Sequence, residues 1–508
     1  MKQLKTICLS LLLSASLTAC AGRTEPKESP ANEDGIAEET VKTEEKTETA
    51  EEKKEISKET IEIRETLESS ADGEHVITSD GESKTVSNTA VNKTGDSEGD
   101  EADFYGENAA VFAENGASLD LSQMVITTAG THANAVFSYG EGTVVTIRDS
   151  VIETSGSCSG GIMTTGGGTM HAENLSIHTT GNSSAAIRSD RGGGTVVVTG
   201  GSYITDGKGS PAIYSTADIT VNDADLISTA SQGVVVEGKN SVTLNNVNLT
   251  ANNNTKNSDK SDYYQAVMIY QSMSGDAAVG TSSFTMNGGT LTNKNGDIFF
   301  VNNTVTEIAL SHAVIVNQDE NGVFLRAAAA GWGKEGSNGG QVTMNASAQE
   351  ITGNILVDSV SAANLILKDG SVFTGAVNPN GQEGSVYLEL DESSKWVLTE
   401  DSYITSLTCA AGAVDLNGHT LYVNGIAYDG SASKGEAVEM TVSASDEGMP
   451  EMGGMKPEGE MTGEVPPKPE GEMSGEAPAK PEGENGERPA RPDGKPGEKP
   501  SSGSGKKQ

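Results

Sequence analysis

Between about residues 110 and 322 a small or polar residue followed by an aliphatic one returns at Val111, Val136, Ile162, Ile187, Ile213, Val234, Val267, Ile298 and Val323. The steps are 25, 26, 25, 26, 21, 33, 31 and 25 residues, too long for a helical period and close to those of solenoid repeats. Inside each repeat an apolar residue is followed five positions later by another, as in Leu121/Ile126, Ile147/Ile152, Val221/Leu226 and Leu244/Leu249. Polar or glycine residues such as Asp149, Gly200, Asp223, Asn246, Gly288 and Asp369 sit in the turns between such pairs. This spacing reads as strand, tight turn, strand.

Each repeat therefore holds about three short strands, and one repeat cannot bury its own apolar face, so neighbours must stack. The predicted fold is all-β, a right-handed parallel β-helix of roughly ten to twelve coils. A leucine-rich repeat would need asparagine and leucine spacings that are absent, and a propeller blade would need about 40 residues. If the aliphatic position points inward, its successor points outward. The successors are Phe112, Phe137, Met163, Arg188, Tyr214, Val235, Met268, Phe299 and Phe324. The expectation is an exposed stripe that serves as a binding face. The alternatives are that the stripe stacks internally or lies beneath the N-terminal segment or a long loop. Two insertions, 252–265 with Tyr263 and Tyr264 and 327–340 with Trp332, are the candidate binding loops.

Composition sets the boundaries. The 508 residues are only 34% hydrophobic and carry a net charge of −39, and the apolar deficit is concentrated at the two ends. Residues 1–19 combine Lys2 and Lys5 with the apolar run 7–17 and read as a signal peptide. The run Leu17-Thr18-Ala19-Cys20 resembles the bacterial lipobox, which implies lipidation of Cys20 and a membrane anchor. Residues 20–103 are read as an acidic disordered stalk, since positions 21–103 hold 25 Asp and Glu against 10 Lys and Arg. The β-helix is assigned to 104–445. Residues 446–508, with 11 of the 15 prolines and Lys-Pro-Glu-Gly-Glu recurring at Lys456, Lys468 and Lys480, are read as an extended tail.

Two segments near the end, 396–407 with Trp396, Ser402, Ile404 and Leu407, and 414–421 with Asn417-Gly418-His419, resemble the last coils of autotransporter passenger domains and related β-helical adhesins. The resemblance implies a cell-surface adhesin. No β-barrel translocator segment follows, so attachment is expected through Cys20.

No catalytic constellation stands out: the motifs of polygalacturonase-like enzymes are missing, and the best cluster is Arg188, Asp190 and Arg191, with His171 and His178 one coil earlier. That cluster is read as a salt-bridged turn on a solvated edge. The acidic body argues against nucleic acid. Six dispersed histidines and unmatched cysteine spacings give no metal site, and no cofactor is expected. Cys158 and Cys409 are too far apart to pair in a solenoid. The expected function is a monomeric, lipid-anchored envelope protein, exposed outside the cell, that binds glycans or a host surface protein. The alternatives are a β-helical polysaccharide lyase or hydrolase, or a passive scaffold.

Overall fold

The structure is a computed structural model that describes residues 56–99, 101–256, 258–272 and 274–441. It is a parallel β-helix. Two sheets carry it among the described residues, one of 20 strands and one of 11, and every strand pair within them is parallel. The 20-stranded sheet takes two legs of each coil. Strand Gly194–Thr205, for example, pairs with both Asp218–Asn222 and Asp225–Ser228, which are separated by the turn at Asp223. The turn residues named from the sequence have positive φ: Asp149 47°, Asp223 53°, Asn246 54°, Asp369 57°, Gly200 70° and Gly288 67°. Asp, Asn and Gly tolerate this conformation, and the left-handed residue is what folds the strand back within the coil.

The 11-stranded sheet brings the repeating aliphatic residues into one line. Ile77, Val111, Val136, Ile162, Ile187, Ile213, Val234 and Val267 are successive Cα partners, all inside the core. After Val267 the line continues through Phe299, Leu325 and Ile355, one or two places beyond the predicted Ile298 and Val323. The cause is visible in strand Asp297–Asn302, which is buried at all six positions and so offers no alternation from which to read its register.

This register corrects two members of the stripe. Phe299 and Phe324 are interior, edge-on to each other at 5.6 Å, with Phe284 packed on Phe299 at 5.5 Å. Phe300 and Arg326 occupy the outward positions instead. Phe112, Phe137 and Met163 do lie on the outward face, yet they too are buried, in a cluster with Ala109 and Tyr139. The short helix Glu101–Tyr105 and, from before it in the chain, His75 cover them: Tyr105 meets Tyr139 edge-on at 5.9 Å, and His75 stacks on Phe112 at 4.4 Å. Burial of each phenylalanine contributes on the order of 2–3 kcal/mol.

The acidic segment is corrected as well. Four strands, Glu65–Ser69, Ile77–Asp80, Ser83–Ser87 and Thr89–Lys93, extend the solenoid below residue 104, with Val86 beside Leu121 and Val91 beside Ile126. Thr66 and Glu68 flank the partly buried Leu67 on exposed positions, and Ser69 is partly buried again, so alternation survives inside a stretch whose overall charge suggests a stalk. At the other end Trp396 is wholly buried, stacked on Phe373 at 5.6 Å, and its Nε1 donates to the Gly375 carbonyl at 3.0 Å. The signal peptide, Cys20, residues 21–55 and the proline-rich tail lie outside the described residues. Among those described, no helix is long and apolar enough to cross a membrane.

Candidate functional site

Four successive coils carry a repeated turn at one corner. Gly130-Thr131-His132-Ala133, Gly156-Ser157-Cys158-Ser159, Gly181-Asn182-Ser183-Ser184 and Gly207-Lys208-Gly209-Ser210 stack on one another. The third residue has φ near 55° in His132, Cys158 and Ser183 and 65° in Gly209. Glycine is required at the first position because the coils touch there: a Cβ on Gly156 or Gly181 would lie 1.9 or 1.8 Å from the preceding glycine's carbonyl oxygen. Below the turn Thr154, Thr179 and Thr205 each donate at 2.6 Å to the carbonyl of Ser159, Ser184 and Ser210. The stack is thereby rigid, and it presents His132, Cys158, Ser183 and Gly209 in a row.

That row forms one wall of a cleft of about 310 Å³, whose floor includes Arg188 and Tyr214 from the outward face of the 11-stranded sheet and whose lid includes Asp103 and Phe104. Arg188 Nη2 donates to Asp103 Oδ2 at 2.9 Å and to Asp190 Oδ2 at 3.0 Å. Its Nη1 is buried with no hydrogen-bond partner among the described residues. Burial alone would pull the guanidinium pKa down, but the two carboxylates outweigh it and hold the group charged. Asp103 faces His132 with its other oxygen, 3.0 Å from Nδ1. Burial pushes its carboxyl up, while Arg188 and His132 prevail and hold it below the usual carboxylate range. Asp190 resolves the other way: burial dominates and pushes it up to about 6.

A second hollow of about 110 Å³ continues the cleft past Gly209, Pro211 and Tyr214 and is walled by the two insertions. Tyr263 is the most open ring, 37% exposed, and it packs on Phe300 at 5.3 Å. Trp332 is half-buried, edge-on to Tyr270 at 5.1 Å, and Tyr264 is half-buried beside it on the same hollow. Tyr214 and Tyr270 both donate to Glu237, the latter at 2.9 Å, and burial pushes both phenols well above their ordinary pKa.

The structure thus gathers Arg188, Tyr214, Tyr263, Tyr264 and Trp332 around one continuous cleft and removes Phe112, Phe137, Met163, Phe299 and Phe324 from any surface. The Arg188–Asp190 pair is buried, not on a solvated edge. Arg191 turns away from it to Asp276, at 2.7 Å, with its guanidinium 4.0 Å from the Phe104 ring centroid. His171 and His178 are exposed on the long sheet, where His178 Nε2 meets Asp206 at 2.7 Å. Cys158 and Cys409 both carry thiols. Sequence reasoning missed Asp103, His132 and Cys158, although the glycine-led turn recurring at the coil period marks the wall that His132 and Cys158 share; Asp103 comes from the lid and belongs to no such repeat. No protein-family model, curated protein or solved structure matches the chain.

Proposed function

We propose that this chain is a lipid-anchored bacterial surface protein whose β-helix binds glycans or a glycan-bearing partner through the cleft between its two covering segments. The observation that carries the reading is the pairing of an accessible aromatic wall with a buried polar floor. Tyr263 and Trp332 bring aromatic surface to one hollow, which Gln232 and Asn253 line with them, and Arg188 and Asp190 offer a donor and an acceptor in the adjoining cleft. Aromatic surface beside converging polar groups is the combination that ligand pockets use, and this mixed cleft supplies both. Uncharged glycans suit it best, because the cleft and the body around it are acidic.

The test is a glycan array probed with the full chain, followed by titration of the best binder against Tyr263→Ala and Trp332→Ala. Each ring should contribute about 1–2 kcal/mol, a loss of roughly 5- to 30-fold in affinity. An array without signal would return the protein to a surface scaffold, and binding that survives both changes would place recognition outside this cleft. Anchoring is tested separately: Cys20→Ala should release the protein from the membrane fraction, and equal labelling of both proteins by a palmitate analogue would refute it.

A further inference from the structure

We infer that Asp103, His132 and Cys158 bind a zinc-class divalent ion, with a further coordination position open to the cleft over Arg188. The three residues are separated by about one coil each in sequence, and the fold brings one carboxylate oxygen, one imidazole nitrogen and one sulfur within 4.8 Å of one another. Asp103 Oδ1 and His132 Nδ1 are 3.0 Å apart. Two donors to a tetrahedral zinc, at about 2.0–2.1 Å from it, stand roughly 3.3 Å apart, so only a small adjustment separates this pair from coordination. Sulfur and imidazole together favour zinc-class ions over calcium or magnesium.

The donors are held in advance. His132 and Cys158 occupy the same position of successive turns, with φ of 55° and 54° and amides bonded to the Ser157 and Asn182 carbonyls at 3.0 and 2.8 Å. Asp103 arrives from the lid, and Arg188 engages its Oδ2, so that Oδ1 is the oxygen presented to His132. Charge also fits. A thiolate beside Asp103 and Asp190 would set three negative charges against the single Arg188 cation, and a divalent ion brings that sum to zero.

Arg188 Nη1 is fully buried in the same cleft without a partner among the described residues. A carboxylate on the ion could accept a charge-assisted hydrogen bond from it. The site therefore takes a metal ion first and a carboxylate-bearing ligand second, and it does so independently of glycan binding along the aromatic wall.

The experiment uses the full chain, reduced and freed of metal. Zinc is titrated in competition with a chromophoric chelator, and cobalt(II) is added separately to read the thiolate-to-metal charge-transfer band. The expected result is one tight equivalent of zinc, a cobalt–thiolate band and a higher melting temperature with zinc. Cys158→Ser is a mild change, because the next coil already places Ser183 at that position with φ 54°. It should abolish the band and weaken zinc by at least about 100-fold, since changing even an outer-shell partner costs about 10- to 100-fold. His132→Asn, which also suits positive φ, should weaken zinc comparably and keeps the test decisive if one variant misfolds. A chain that takes up less than one equivalent with no cobalt–thiolate band overturns the inference, as does a folded Cys158→Ser protein that binds zinc like the native one.

Discussion

A Cβ built on Gly156 would stand 1.9 Å from the Gly130 carbonyl oxygen, whereas one on Gly116, where φ is +75°, would meet nothing within 4 Å. The two positions separate crowding between coils from backbone strain. Gly116→Ala should cost about 1–2 kcal/mol, the price of a left-handed alanine. Gly156→Ala must push two coils apart and should exceed about 4 kcal/mol. Urea unfolding of both variants checks the order, and equal losses would mean that the coils do not touch where the structure places them. Asp190 gives the residue scale its pH dependence. It is pushed up to about 6 chiefly by burial, Asp103 and Asp276 add to this, and Arg188 and the Arg191 amide oppose it. An unfolded aspartate titrates near 3.9, so between about pH 4 and 6 the folded chain holds a proton that the unfolded chain has lost. Stability therefore falls as pH rises through that window and is level above it. Asp103, held low, acts oppositely: its contribution is lost as pH falls through the acid range. Asp190→Asn removes only the first trend. From pH 4 to pH 7 the native chain should lose about 2–3 kcal/mol relative to that variant in urea unfolding, and parallel profiles would show that Asp190 is ionised throughout.

At the scale of the strand, alternation decides how much can be read. In the long sheet Ser118–Ser122 and Asp218–Asn222 alternate exposed or partly buried with buried, and their turns carry Asn, Asp and Gly, so both strand and register are legible from the sequence. In the 11-stranded sheet Val136–Tyr139, Val234–Glu237 and Gln265–Tyr270 are buried at every position. A strand covered on both faces selects apolar residues at each site, so its inward and outward sets look alike, and the stripe seen in the sequence is real while its exposure is not. Which segments cover it was not legible, because Tyr105, His75 and Trp332 reach their partners through the fold. Phe137→Ala should accordingly cost about 3–5 kcal/mol, as a core truncation does. Tyr263→Ala, on the most exposed of the cleft rings, should stay within about 1 kcal/mol. Thermal melts of the two variants test the assignment, and a mild Phe137→Ala would mean that the helix Glu101–Tyr105 does not seat there. Short-range motif spacing failed at the site for a related reason: in a solenoid the neighbour of His132 is Cys158, one coil of 26 residues away.

For the whole molecule, the decisive question is where the solenoid begins, because coils contact only their neighbours and an end coil shields the one behind it. Composition places the boundary near residue 104, and the strands place it near Glu65. The two boundaries predict different behaviour for shortened proteins. A chain beginning at residue 56 keeps Ile77 against Val111, Val86 against Leu121 and Val91 against Ile126. A chain beginning at residue 104 loses all three, bares two sheet edges of unpaired backbone groups, and discards Asp103, leaving Arg188 with Asp190 alone. Breaking a buried ion-pair network costs several kcal/mol, and open parallel edges invite association. The shorter protein should therefore melt well below the longer one and elute as aggregates on size exclusion, while the chain from residue 56 should elute as a single species. If both instead melt together as monomers, the first four strands add nothing to the core and the acidic segment is a stalk down to Asp103.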